Sequence, residues 1–229
     1  MNNSAALRAR SGRAGQNPRS APAALLHRID PVLEERARFI AGFLREPTTV
    51  GALVPSSRSL ALAMIGDIDL RKAETVVELG PGTGAFTRVI SEQLWRKTRF
   101  LALELDPQHA RDLQRQFPRV FVYNDSAENI TSCLAQHGNR KADVIISGLP
   151  WASLPLSVQD RVMDAVMVSL MPAGVFHTFA YLHARWMPNA QEFRKRLLRH
   201  FEDVTTSPVV WRNLPPAFVY RCAGPKKAA

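Results

Sequence analysis

The sequence predicts an α/β fold: a mostly parallel seven-stranded sheet with helices on both faces and an antiparallel hairpin at its C-terminal end. Three observations predict it. Five short apolar runs alternate with helical patterns, the first run ends in a turn with three glycines, and two β-rich segments close the chain. The first strand, 75–79, is built on Val76, Val77 and Leu79, and Gly80, Gly82 and Gly84 then allow a sharp backbone turn into a helix over 85–96. Further strands are expected over 100–105, 120–123, 143–147 and 174–181, separated by helices over 107–116, 126–136 and 157–170. A last helix over 192–200 leads to a closing hairpin of 204–211 with 217–222.

Two segments precede the sheet. Asp30 reads as an N-cap with Pro31 at the first helical position. Val32, Leu33, Phe39, Ile40, Phe43 and Leu44 recur there at helical spacing among charged residues, giving an amphipathic helix over 31–45. Such a helix packs on a domain or lies on a membrane surface. In the second segment, 47–65, Ser56 or Ser57 caps a helix suited to packing. The expected layout is a disordered basic tail over 1–28, amphipathic and lid helices over 29–68, and a ligand-binding domain over 69–229.

The chain has 229 residues, of which 46% are hydrophobic, enough for one sizeable core. Thirty basic residues against twenty acidic ones give a net charge of +10. Arg8, Arg10, Arg13, Arg19 and Arg28 carry five of those charges in a stretch without acids, which suits an anionic partner. No apolar run approaches the ~18 residues of a membrane span, so a soluble or peripheral protein on the cytoplasmic face of the membrane is expected. Cys133 and Cys222 lie far apart, and His177 and His183 lack a metal-binding helical spacing, so buried thiols and no metal are expected.

The richest motif is VVELGPGTGAFT, residues 76–87, with Glu104 ending the second apolar run twenty residues beyond Gly84. A dinucleotide site spaces its glycines G-x-G-x-x-G, whereas these read G-x-G-x-G after an acid, Glu78. The combination resembles motif I of the class I S-adenosylmethionine (SAM) methyltransferases, which have a Rossmann-like fold. The resemblance implies SAM as cofactor and S-adenosylhomocysteine (SAH) as product. By the same resemblance Gly80, Gly82 and Gly84 meet the methionine end, Glu78 lies beneath its amino group, and Glu104 grips the ribose hydroxyls. Asp125, ending the third run and followed by Ser126, matches the adenine contact; both also read as caps of the next helix.

A narrower resemblance follows from FLREPTTVGALVPSSRSLA (43–61), SGLPWASLP (147–155) and WRNLPPAFVY (211–220), which look like segments of the bacterial phospholipid N-methyltransferases. It covers most of 32–222 and implies methylation of the head-group amine of phosphatidylethanolamine, with ornithine lipids as the acceptor of related members. In that family the amino-terminal helix binds anionic membrane, which assigns residues 1–45 to a membrane surface. ELGPGTGAFT also resembles the RNA adenine dimethyltransferases, and a basic chain suits RNA as well. Those enzymes carry Asn-Leu-Pro-Tyr after strand four, and the Asn amide accepts from the base. Here the sequence reads Gly148-Leu149-Pro150-Trp151, and a missing buried acceptor costs about 1–3 kcal/mol, so nucleic acid is not the expected substrate. For an amine acceptor, Ser147 and the backbone of Gly148 and Leu149 offer hydrogen-bond acceptors, and Tyr181 offers a phenol that orients the amine or bonds phosphate. Tyr181 departs from the family pattern in having Ala180, not threonine, before it. Trp151 and Tyr181 are candidate walls for a methylated ammonium, or core residues. Asn213 either closes the pocket or belongs to a turn fixed by its neighbouring prolines.

Overall fold

The computed structural model describes residues 56–138 and 141–226. The basic tail, the amphipathic helix expected over 31–45 and the start of the 47–65 segment lie outside them. The first described helix, α1 (Arg58–Ile65), is capped by Ser57, whose hydroxyl accepts the Leu60 N–H. Next come β1 (Thr75–Leu79), α2 (Ala85–Gln93), β2 (Arg99–Glu104), α3 (Pro107–Gln116), β3 (Phe121–Asn124), α4 (Ile130–Ala135) and β4 (Ala142–Ser147). The chain ends with α5 (Leu156–Ser169), β5 (Leu170–Tyr181), α6 (Pro188–His200), β6 (Phe201–Thr206) and β7 (Ala217–Pro225).

The seven strands form one sheet in the order β3-β2-β1-β4-β5-β7-β6, parallel except for β7, which runs antiparallel between β5 and β6. One apolar cluster joins α1 and α2 to residues such as Val76, Phe100 and Ile146. A second joins α4, α5 and α6 to Val77, Leu101, Ile145 and Phe176, their alternate neighbours along the strands. Burial on both faces explains why β1, β2 and β4 read as continuous apolar runs.

Several boundaries differ from the sequence expectation for local reasons. The helix expected over 126–136 splits into a short 3-10 turn, Ala127–Asn129, and α4. β5 starts at Leu170, and its register with β4 shifts between the Ala142 and Val144 pairings, so Met171–Gly174 absorb an irregularity that the sequence does not signal. α6 starts at Pro188, whose missing N–H costs nothing at a first helical turn. β6 runs Phe201–Thr206 and stops before Ser207, whose hydroxyl accepts the Val219 N–H and donates to the Pro208 carbonyl. Among the described residues, no helix is long and apolar enough to cross a membrane.

Candidate active site

The strand order reverses direction between β1 and β4, and in open α/β sheets ligands bind outside the carboxyl ends of the strands at such a switch point. Three loops meet there. The Gly80 N–H donates to Leu103 O at 2.9 Å, the Gly148 N–H to Leu79 O at 2.8 Å and the Asp125 N–H to Glu104 O at 3.1 Å. Gly80, Gly82 and Gly84 all have positive φ, at 68°, 54° and 82°, which a side chain would strain. At Gly82 a Cβ would meet nothing within 4 Å, so this point of the loop faces open space.

Gly148 has a stricter requirement. A Cβ there would lie 2.5 Å from the Gly80 carbonyl oxygen, because the loop after β4 passes directly against the glycine turn. Gly148→Ala is therefore expected to force the two loops apart, at a cost of about 1–3 kcal/mol, read as a lowered midpoint in urea. An unchanged midpoint would mean that the loop shifts freely.

Glu78 is fully buried beneath the glycine turn. Its Oε2 accepts the Thr87 hydroxyl at 2.7 Å, and its Oε1 has no partner. Burial pushes this carboxyl up to about 8, helped by the negative charge of Glu104 and opposed by Thr87. The folded state thus keeps a proton that the unfolded chain releases, and stability falls as pH rises from about 4.5 to about 8. Glu78→Gln cannot ionise, so its melting temperature is expected to exceed the wild type's at pH 9 by a few degrees and to match it near pH 4. A constant difference at all pH values would exclude this origin.

Glu104 is 2% exposed, and its carboxylate accepts the Gly82 N–H at 2.9 Å and the Asp106 N–H at 2.8 Å. Burial raises its pKa, against those two backbone donors. Asn124 secures the same corner by donating to the Glu104 and Leu105 carbonyls. Asp125 Oδ1 accepts from the Ser126 N–H and the Asn129 amide, both at 2.7 Å, while the Ser126 hydroxyl caps the 3-10 turn. The capping role expected of this pair is present, and Asp125 and Ser126 stand at the crevice with Glu104. Thr87 and Asn124 did not stand out in the sequence. Thr87 was findable, since the first turn of a helix that follows a strand through a tight loop returns over the strand's end.

The expected acceptor side is brought together less completely. Ser147 is fully buried, and its hydroxyl accepts the Trp151 indole N–H at 3.0 Å and the Leu149 N–H at 3.3 Å. Both acceptor positions of that hydroxyl are taken, so it holds the loop instead of meeting an amine. Trp151 is 2% exposed, stacked on Phe193 of α6 at 4.5 Å and edge-on to Phe176. It takes the second of its two expected roles, filling the core. Asn213 is also buried: its Oδ1 accepts the Ser57 N–H at 2.8 Å and its amide donates to Pro215 O at 2.7 Å. It ties the turn before β7 to the start of α1 and does not line an open pocket. The Leu149 carbonyl accepts the Trp151 N–H. The Gly148 carbonyl has no donor among the described residues. Tyr181 ends β5 at the same edge of the sheet, half-buried between Phe179 and His183, with burial raising its phenol pKa. Among the described residues, no three His, Cys, Asp or Glu side chains cluster closely enough to hold a metal ion.

No protein-family model matches the chain. The ornithine lipid N-methyltransferase of Singulisphaera acidiphila is 34% identical over 193 residues, spanning 83% of this chain and 96% of that protein. The ribosomal RNA small subunit methyltransferase A of a Hydrogenobaculum strain is 27% identical over 108 residues, 47% of this chain and 40% of that protein. Among solved structures, the O-methyltransferase TomG from Streptomyces achromogenes, in complex with SAM, matches with a TM-score of 0.57 at 17% identity, covering 87% of this chain and 93% of that one. Human methyltransferase-like protein 13, in complex with SAH, matches at 0.54 and 18% identity, covering 75% and 82%. The last two likenesses show the fold.

Proposed function

This chain belongs to the class I lipid N-methyltransferases, and on that premise we propose that it transfers methyl groups from SAM to the head-group amine of an ornithine lipid. The observation that carries the proposal is the 34% identity to an ornithine lipid N-methyltransferase across 96% of that protein's length. Phosphatidylethanolamine, which offers the same kind of primary amine, is the alternative acceptor.

Features of the crevice support the cofactor. Gly82 faces open space, and the carboxylate of Glu104 sits at the lip of the glycine turn, where it can exchange backbone donors for ribose hydroxyls. Buried Oε1 of Glu78 has no partner, and a cationic amino group above the loop would favour the ionised carboxylate and donate to that oxygen directly or through water. Asp125 and Ser126 stand at the same edge, beside Glu104, and in this reading meet the adenine. When bound, SAM supplies a methyl carbon activated by its sulfonium. The protein's part is to bring an uncharged amine in line with that carbon, and such positioning can contribute about 7–11 kcal/mol. In this reading the free carbonyl of Gly148 accepts an amine N–H and aims the nitrogen lone pair, and Tyr181 orients the head group from β5. A partly desolvated crevice favours the neutral amine, and the surplus proton leaves to water after transfer. The acid-free arginines of the first 28 residues suit an anionic bilayer on its cytoplasmic face, and residues 1–45 remain its proposed contact.

Partial identity to a ribosomal RNA methyltransferase favours a second reading, RNA adenine methylation. Position 148 speaks against it: glycine offers no amide to a base, and the close Gly80 carbonyl leaves no room for one. The test is a transfer assay with labelled SAM and anionic vesicles containing ornithine lipid, in parallel with phosphatidylethanolamine vesicles and structured RNA, resolving products by mass spectrometry. Product on ornithine lipid is expected. Product on phosphatidylethanolamine alone would move the acceptor within the family, and product on RNA alone would overturn the proposal.

A further inference from the structure

A cavity of about 480 Å³ opens between α6 and the C-terminal ends of β5 and β6. Leu182, Phe218 and Tyr220 contribute apolar lining, while Arg185, Arg194 and Lys195 bring three cations and no acid lines the cavity. Lys195 is partly neutralised by Glu192 at 3.5 Å. Arg185 and Arg194 have no acidic partner among the described residues, so their charge is available to a ligand. Burial raises the Tyr220 phenol, and the charges of Arg194 and Arg185 act against it, so both arginines reach the electrostatic surroundings of that hydroxyl.

The same edge exposes large apolar side chains. Trp186 is 72% exposed and Met187 49%, in the turn after β5; Trp211 is 71% and Leu214 69% exposed, in the turn before β7. The two turns are joined, since the Leu182 N–H donates to Pro216 O at 2.8 Å. Asn213, buried between Trp211 and Leu214 in sequence, pins their turn to Ser57, so these side chains project from an anchored loop. The Arg185 guanidinium lies 4.7 Å from the Trp186 ring centroid, which places a cation and an interfacial aromatic side by side.

We infer that this cavity and its projecting turns form a docking site for an anionic phospholipid head group, seating the C-terminal edge of the sheet on a bilayer. Charge complementarity selects the phosphate, and tryptophan beside aliphatic side chains matches the interfacial zone of a membrane. RNA would satisfy the arginines and stack on the indoles, but Met187 and Leu214 would gain nothing from it. The inference deepens the lipid reading and rests on it for one point, that the crevice at the same edge then faces its substrate layer.

The test uses the full chain without SAM and vesicles of phosphatidylcholine with or without phosphatidylglycerol. These lipids carry no methylatable amine, so the result stands apart from that of the transfer assay. Sedimentation with phosphatidylglycerol vesicles is expected to weaken on the order of tenfold or more in Arg185→Ala/Arg194→Ala, and comparably in Trp186→Ala/Trp211→Ala. Melting temperatures should hold, because all four side chains are exposed. Methyl transfer to acceptor lipid in neutral detergent should also hold. Vesicle binding within twofold of wild type in both variants would overturn the assignment. So would a loss of binding to structured RNA with vesicle binding retained.

Discussion

Glu104→Ala is expected to weaken SAM binding on the order of 100-fold or more by calorimetry, with transfer falling in parallel. A charged hydrogen bond contributes about 1.5–3 kcal/mol, and in the proposed complex a ribose presents two hydroxyls to this carboxylate. The same substitution strips the Gly82 and Asp106 N–H groups of their acceptor, so the glycine turn loses a brace as well as the proposed ribose contact. Glu104→Gln separates the two effects. It keeps an acceptor oxygen and the side-chain length but loses the charge, and an intermediate loss of about tenfold is expected in a protein whose melting temperature stays near that of the wild type. Affinity unchanged in a folded Glu104→Ala protein would remove this residue from the cofactor site.

Trp151→Ala is expected to cost about 3–5 kcal/mol of stability, as large-to-small changes of aromatic core residues do. The indole stacks on Phe193, meets Phe176 edge-on, and donates to the fully buried hydroxyl of Ser147. Removing it empties the space between the β4 loop and α6 and leaves that hydroxyl short of a donor. Urea denaturation measures the loss. Trp151→Phe should recover much of the packing and most of the transfer activity. A Trp151→Phe enzyme with intact stability and a KM for lipid raised tenfold or more would restore the substrate-wall role that its aromatic character suggested.

The difference between these two residues marks the reach of the sequence. The place of Glu104 was legible because it is tied to the chain: an acid ending an apolar strand run after a glycine turn stands at the carboxyl end of the sheet whatever surrounds it. Trp151 was not, because a tryptophan after β4 can face outward or inward, and the choice depends on Phe193, 42 positions away on α6. The hydroxyl of Ser147 and the amide of Asn213 follow the same pattern. Each carries hydrogen-bonding groups that a ligand could use, and each is saturated by partners that come near only when the chain is folded: Trp151 and Leu149 for one, Ser57 and Pro215 for the other.

By itself the sequence determined the succession of strands and helices of an α/β sheet with a closing hairpin, the glycine turn at Gly80, Gly82 and Gly84, and the acids at Glu78, Glu104 and Asp125 at or near the strand ends, because hydrophobic period and backbone sterics act over a few neighbouring residues. Tertiary structure alone decided that Gly148 must lack a side chain against the Gly80 carbonyl, that Glu78 is starved of solvent enough to hold its proton to about 8, and that Trp186 and Trp211 project on one basic edge. Those properties are set by close approach and exclusion of water between segments distant in the chain, and no local pattern encodes either.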